Sequence, residues 1–255
     1  MATAAKLIET LAAELGWSTA TVEAYALELR REGWWPKTKR GRGASSVTTM
    51  DAAKLLLAVL SDGPKSLARS ETGPLPHSHR LGFFLTSATL CNLMPNSWEY
   101  AVLCDELNLT QKADFLDFVA AVLQTFVDGR AVGIFSRMGG EFTPKWRYSG
   151  PEVSFTIYGP EPAGTMNFYF SDSLADELVS KGLDSEKVRR KQQLVFGHLL
   201  HGWREKYRQL GENVGVMDEL LLALEEDSAK GLRRTKTFGG QELTACARVL
   251  AEDAK

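Results

Sequence analysis

The chain has almost no net charge. The 255-residue chain carries 30 Lys and Arg against 32 Asp and Glu, a formal net charge of -2. A chain that coats nucleic acid through net charge alone is thereby excluded, so any contact with phosphate has to rest on local basic clusters. Cysteine is scarce too. Cys91, Cys104 and Cys246 are odd in number and widely spaced, with no CxxC, which fits buried, reduced thiols in a cytosolic protein. Long apolar runs are missing: Leu55 to Leu60 falls far short of the roughly 20 residues needed to span a bilayer. Met1 to Lys6 has no apolar signal-like core. No membrane partner is expected, and the expected location is the cytoplasm. Catalytic signatures are absent as well: no P-loop, GxGxxG, GxSxG or HExxH occurs. Gly139-Gly140 and Gly239-Gly240 are too short to argue phosphate binding, and Glu225-Glu226-Asp227 falls on an amphipathic stretch as a solvated group. Neither an enzymatic activity nor a cofactor is expected. With 44% hydrophobic and 24% charged residues, what remains is a globular chain with enough material for a sizeable core.

Periodicity organises that material. Leu7, Ile8, Leu11, Ala12 and Leu15 recur at helical spacing and Gly16 stops them, predicting a helix over 3–15. Ser18 or Thr19 can cap a second helix whose apolar side is Val22, Tyr25, Ala26 and Leu29, closed by Gly33. Lys37-Thr38-Lys39-Arg40-Gly41-Arg42-Gly43 has no apolar period and reads as a loop or wing. Thr48 or Thr49 begins a third helix, with Asp51 in its first turn where the helix dipole favours negative charge. Residues 64–80, rich in Gly, Pro and Ser, read as a linker. Helices are expected near 81–94, 97–107 and 110–128, then near 172–181, 184–209, 214–228 and 241–253. Glu152–Tyr158 and Thr165–Phe170 alternate around a Gly/Pro loop and predict a β-hairpin, with weaker strand signals at Ile134-Phe135 and Trp146–Tyr148. The expected fold class is α+β, mainly α: an N-terminal domain over 1–63, a linker over 64–80, and a larger helical domain with a β-hairpin over 81–255.

The stretch Leu11-Ala12-Ala13-Glu14-Leu15-Gly16-Trp17-Ser18-Thr19-Ala20-Thr21-Val22-Glu23-Ala24-Tyr25 carries the functional argument. A small residue, Ala12, lets two helices approach. Gly16 permits the positive φ of a tight turn. Trp17 tucks inward, and Val22 and Tyr25 hold the second helix on the first. This pattern resembles the helix-turn-helix of DNA-binding proteins over about twenty residues, or about sixty if the basic loop is a wing. The glycine-bearing basic loop followed by Thr48-Thr49-Met50-Asp51-Ala52-Ala53-Lys54-Leu55-Leu56 is also similar to segments of prophage or mobile-element regulators.

The resemblance implies that the second helix enters the major groove. It puts Ser18, Thr19, Ala20, Thr21 and Glu23 toward base edges, Arg30 and Arg31 toward phosphates, and Lys37, Lys39, Arg40 and Arg42 along the sugar-phosphate backbone or into the adjacent minor groove. Between Arg30 and Arg42 six Lys or Arg face a single acid, Glu32, the local excess that phosphate contact needs. Such modules usually have a helix before the pair. Here either the 50–61 helix takes its place or a partner supplies cover. The implied function is a sequence-specific transcriptional regulator, of phage or mobile-element type, that binds double-stranded DNA as a homodimer. Residues 81–255 would serve dimerisation, effector sensing or contact with a protein partner. The rivals are a DNA-packaging adaptor of the terminase small-subunit kind and a protein-binding inhibitor whose N-terminal module controls its own promoter.

Other constellations read as structure. His198 and His201, three apart, lack the third and fourth ligands zinc needs, so no metal is expected. The basic runs Lys187–Lys191 and Lys230, Arg233, Arg234, Lys236 read as solvated faces. Phe115-Leu116-Phe118-Val119-Val122-Leu123-Phe126 and Leu220-Leu221-Leu222-Leu224 read as core, with a dimer seam as the other possibility.

Overall fold

Alternation in the second half of the chain builds a sheet, and the sheet gives the helices something to bury. The computed structural model describes residues 3–31, 33–36, 46–61, 97–137, 150–158, 163–197 and 235–251. Those residues form an α+β, mainly helical fold around a four-stranded antiparallel sheet. In chain order the elements are α1 (Ala4–Leu15), α2 (Thr19–Arg31), α3 (Thr49–Ser61), α4 (Trp98–Glu106), α5 (Phe115–Val127) and α6 (Ala131–Ile134). They continue with β1 (Val153–Tyr158), β2 (Ala163–Phe168), α7 (Asp172–Ser180), α8 (Ser185–Arg189), β3 (Gln192–Gly197), β4 (Thr235–Gly239) and α9 (Gly240–Ala251).

The strands lie in the order β3-β2-β1-β4. The expected hairpin is β1 with β2, in the register Phe155 opposite Met166. Successive residues of a strand face opposite sides, so Val153, Phe155, Ile157, Met166, Phe168, Leu194, Phe196 and Phe238 share one buried face. On the other face the Thr156 and Thr237 hydroxyls bond at 3.0 Å, and the Gln193 side-chain N–H donates to Asn167 at 2.8 Å. The buried face carries an aromatic layer. Phe115 of α5 stands edge-on to Phe155, with centroids 5.8 Å apart, and also meets Phe196 at 5.1 Å. Phe118 meets Phe196 at 5.3 Å, and Phe155 stacks on Phe238 at 5.1 Å. Such pairs each add about 0.5–1.5 kcal/mol beyond the area they bury. Gly164 makes this approach possible. A Cβ there would lie 2.7 Å from the Phe115 ring, so this strand glycine marks a close contact rather than a bend.

Five helices meet in a closed ring of neighbours: α1 on α2, α2 on α3, α3 on α5, α5 on α9, and α9 back on α1. The core is continuous from Leu7 through Leu60 to Phe115 and Leu250. α3 also contacts β1 and β4. Enclosure on several sides explains why Leu55, Leu56, Leu57, Ala58, Val59 and Leu60 are all buried, although no single helical face could hold them. Cys104 and Cys246 are buried free thiols. Burial pushes both thiols up from their ordinary pKa, helped at Cys246 by the charges of Glu242 and Glu14.

Several expectations are corrected. The stretch 184–209 is not one helix: α8 ends at Arg189, Arg190 is extended (φ -79°, ψ 167°), and β3 follows. Two things favour the strand. Leu194 and Phe196 fill the sheet's buried face, and the Gln192 side chain donates to the carbonyls of Lys187, Val188 and Arg190, ending the helix. The basic run 187–191 therefore crosses a helix end, with Arg189 paired to Asp172 and Asp176. The helix expected over 110–128 starts at Phe115, because Asp114 and Asp117 cap each other's backbone N–H at 2.8 and 3.1 Å. Ile134 ends α6 rather than a strand, and Phe135 forms an isolated bridge with Phe170. Lys236 lies in β4, where no strand was expected. The expected linker 64–80, the expected helices at 81–94 and 214–228, Trp146–Tyr148, His198 and His201 lie outside the described residues. Among the described residues no helix is long and apolar enough to cross a membrane, and no three His, Cys, Asp or Glu are grouped to hold a metal.

Candidate nucleic-acid interface

α1 and α2 form a hairpin whose turn is fixed by backbone chemistry. Gly16 adopts φ 65°, ψ 29°. Its N–H donates to the Ala13 carbonyl at 3.2 Å, and that of Trp17 to Ala12 at 2.8 Å. This paired closure satisfies the open carbonyls at the end of α1 and needs a left-handed residue at its centre. Ser18 then starts α2: its hydroxyl accepts from the Thr21 N–H at 3.2 Å and bonds the Thr21 hydroxyl at 2.7 Å. α2 ends as α1 does, with Gly33 at φ 75° and the Trp34 N–H on the Leu29 carbonyl at 2.8 Å.

Between these stops Leu7, Ile8, Leu11 and Ala12 pack with Val22, Tyr25, Ala26 and Leu29, all buried. Trp17 is half-buried beside Tyr25, ring centroids 6.3 Å apart. Two helices cover the hairpin from behind. α3 packs on α2, and α9 packs on α1, where the Gln241 amide donates to Glu14 at 3.0 Å. Both come from later in this chain, so the cover expected from the 50–61 helix is present, and α9 adds to it.

The front of α2 is open. Ser18, Thr19, Ala20 and Glu23 are exposed, while Thr21 is half-buried with its hydroxyl held by Ser18. Arg31 is exposed and paired with Glu28 at 2.6 Å. Arg30 behaves differently. Its guanidinium lies 4.9 Å from the centre of the Trp35 ring, and the Trp35 indole N–H is anchored on the Asp51 carbonyl at 3.1 Å. A stacked guanidinium gives up little further freedom when it meets an anion. Lys37, Lys39, Arg40 and Arg42 lie outside the described residues.

The structure thus brings Ser18, Thr19, Ala20, Thr21, Glu23, Arg30 and Arg31 together on one helix. It ties up the hydroxyls of Ser18 and Thr21 in capping, and the charge of Arg31 in a local pair. Three neighbours were not foreseen in the sequence. Ala24 and Leu27, the latter 44% exposed, join the open face, and Trp35 supplies the platform under Arg30. Helical spacing alone could have found the first two, since both fall opposite Val22 and Leu29. In comparisons with protein-family models, curated proteins and solved structures, the chain matches none.

Proposed function

We propose that this chain is a sequence-specific DNA-binding transcriptional regulator of phage or mobile-element type, with α2 as the recognition helix and two copies binding two half-sites. One observation carries the reading: α2 buries Val22, Tyr25, Ala26 and Leu29 and leaves Thr19, Ala20 and Glu23 in solvent, beyond a tight glycine turn. A helix held from behind and open at its first turns has the form required to enter the major groove N-terminus first. The six cations between Arg30 and Arg42 supply the phosphate contacts, with Arg30 already oriented by Trp35.

The test is selection from random duplexes with the purified protein near physiological salt. A palindromic consensus is expected. Replacing Arg40 and Arg42 by Ala should weaken binding to every sequence and flatten the salt dependence by about two units of log–log slope. Thr19→Ala should change base preference while leaving that slope alone. Selection without enrichment, or enrichment that neither substitution alters, overturns the assignment.

A further inference from the structure

The open face of α2 lacks the side chains that clamp purines. Between Thr19 and Glu28 there is no Arg, Lys, Asn or Gln. Guanine is usually read by Arg or Lys, and adenine by Asn or Gln, through paired hydrogen bonds in the major groove. What the face offers is a stripe of methyl groups and one acid. Ala20, Ala24 and Leu27 are spaced four and three residues apart, so they line up along the helix, with Glu23 at their side, and all four are exposed. Of the other candidates for base contact, the hydroxyls of Ser18 and Thr21 already bond each other, which leaves Thr19 at the helix start beside the stripe.

Methyl groups complement the C5-methyl of thymine, and a carboxylate accepts from the N4 amino group of cytosine. Resting on the DNA-binding reading above, we infer that α2 reads pyrimidine edges: thymine methyls against Ala20, Ala24 and Leu27, and a cytosine amino group against Glu23. The stripe from Ala20 to Leu27 is about 10 Å long at ~1.5 Å per residue, or about three base steps at ~3.4 Å. Arg30 and Arg31 close α2, and the sequence after it adds Lys37, Lys39, Arg40 and Arg42 against Glu32 alone, a local excess that favours a polyanion as the occupant. Affinity then comes from phosphate contacts and selectivity from apolar contact.

The experiment uses the full chain and its selected site, synthesised with deoxyuridine in place of each thymine in turn, so that one methyl is lost and no hydrogen bond changes. Each contacted position is expected to lose about fourfold in affinity, the effect of roughly one buried methyl group. Leu27→Ala, at an exposed position, should keep the wild-type melting temperature and abolish the deoxyuridine penalty at one position of each half-site. Affinity indifferent to deoxyuridine everywhere, or a penalty pattern unchanged in Leu27→Ala, overturns pyrimidine reading while a selected consensus leaves DNA binding standing. Loss of self-association in Leu27→Ala by sedimentation, with the deoxyuridine pattern intact, assigns the stripe to a second copy of the chain and also overturns it. Failure to enrich any sequence removes both readings.

Discussion

The aromatic layer on the sheet and the α1–α2 hairpin use apolar contact in opposite ways. Phe115, Phe118, Phe155, Phe196 and Phe238 are enclosed by sheet on one side and helices on the other, each at most 1% exposed. Among the described residues the hairpin is covered from behind, by α3 and α9, and its front displays Ala20, Glu23, Ala24 and Leu27. Enclosure contributes stability, and the open side is where a partner can be met. The same residue type therefore carries different weight in the two places: a leucine at 29 holds the fold, and a leucine two positions earlier does not.

That contrast can be broken most sharply at the sheet. Phe155→Ala removes a ring that meets both Phe115 and Phe238 and should cost about 3–5 kcal/mol in chemical denaturation. Because the helix ring joins both regions in one core, hairpin and sheet should unfold in a single transition. Different unfolding free energies for the amides of α1–α2 and of β1–β2 by native-state hydrogen exchange would show that the two regions are independent. A smaller effect is expected at the turn. Gly16→Ala meets no neighbour within 4 Å, so its cost is that of a left-handed backbone, about 1–2 kcal/mol, read as a shifted urea midpoint with unchanged slope.

The smallest expected effect separates the regions by pH. The hairpin's caps, Thr3 and Ser18, are uncharged, whereas α5 is capped by Asp114. Burial pushes the Asp114 carboxyl up to about 6 from 3.8; the Asp117 backbone N–H opposes this, and the Asp117 charge adds to it. A carboxyl whose pKa is raised by folding binds more protons folded than unfolded, so its contribution falls as pH rises between those two values. Wild type should therefore lose stability relative to Asp114→Asn as pH goes from about 4 to about 6, with a constant difference above. Equal urea midpoints for the two proteins across that range would contradict the assignment.

The hairpin was readable in the sequence because its signals are local: Gly16 and Gly33 stop the helices, Ser18 caps, and Val22, Tyr25, Ala26 and Leu29 keep one period. The strands β3 and β4 were not. Gln192-Gln193-Leu194-Val195-Phe196 suits either structure by itself, and pairing with β2 decides it. Five residues ending in glycine, Thr235–Gly239, carry too little pattern to stand out from their basic neighbours. The start of α5 is set by the reciprocal capping of Asp114 and Asp117 rather than by apolar period. At the candidate site the polar residues drew attention because hydrogen-bond donors suggest recognition. The apolar stripe beside them had the same periodic support, and the Trp35 platform under Arg30 needed the chain to fold back before it existed.

The bond between Glu14 and Gln241 joins residues 227 apart in sequence. At ~5–20 residues per second of synthesis, α1 leaves the ribosome roughly 10–45 s before α9 can reach it. Throughout that interval the inner side of α1 lacks one of its two walls. Closure of the helix ring therefore waits for α9, and a chain cut short before it would carry the hairpin's sequence without the support that holds it in place.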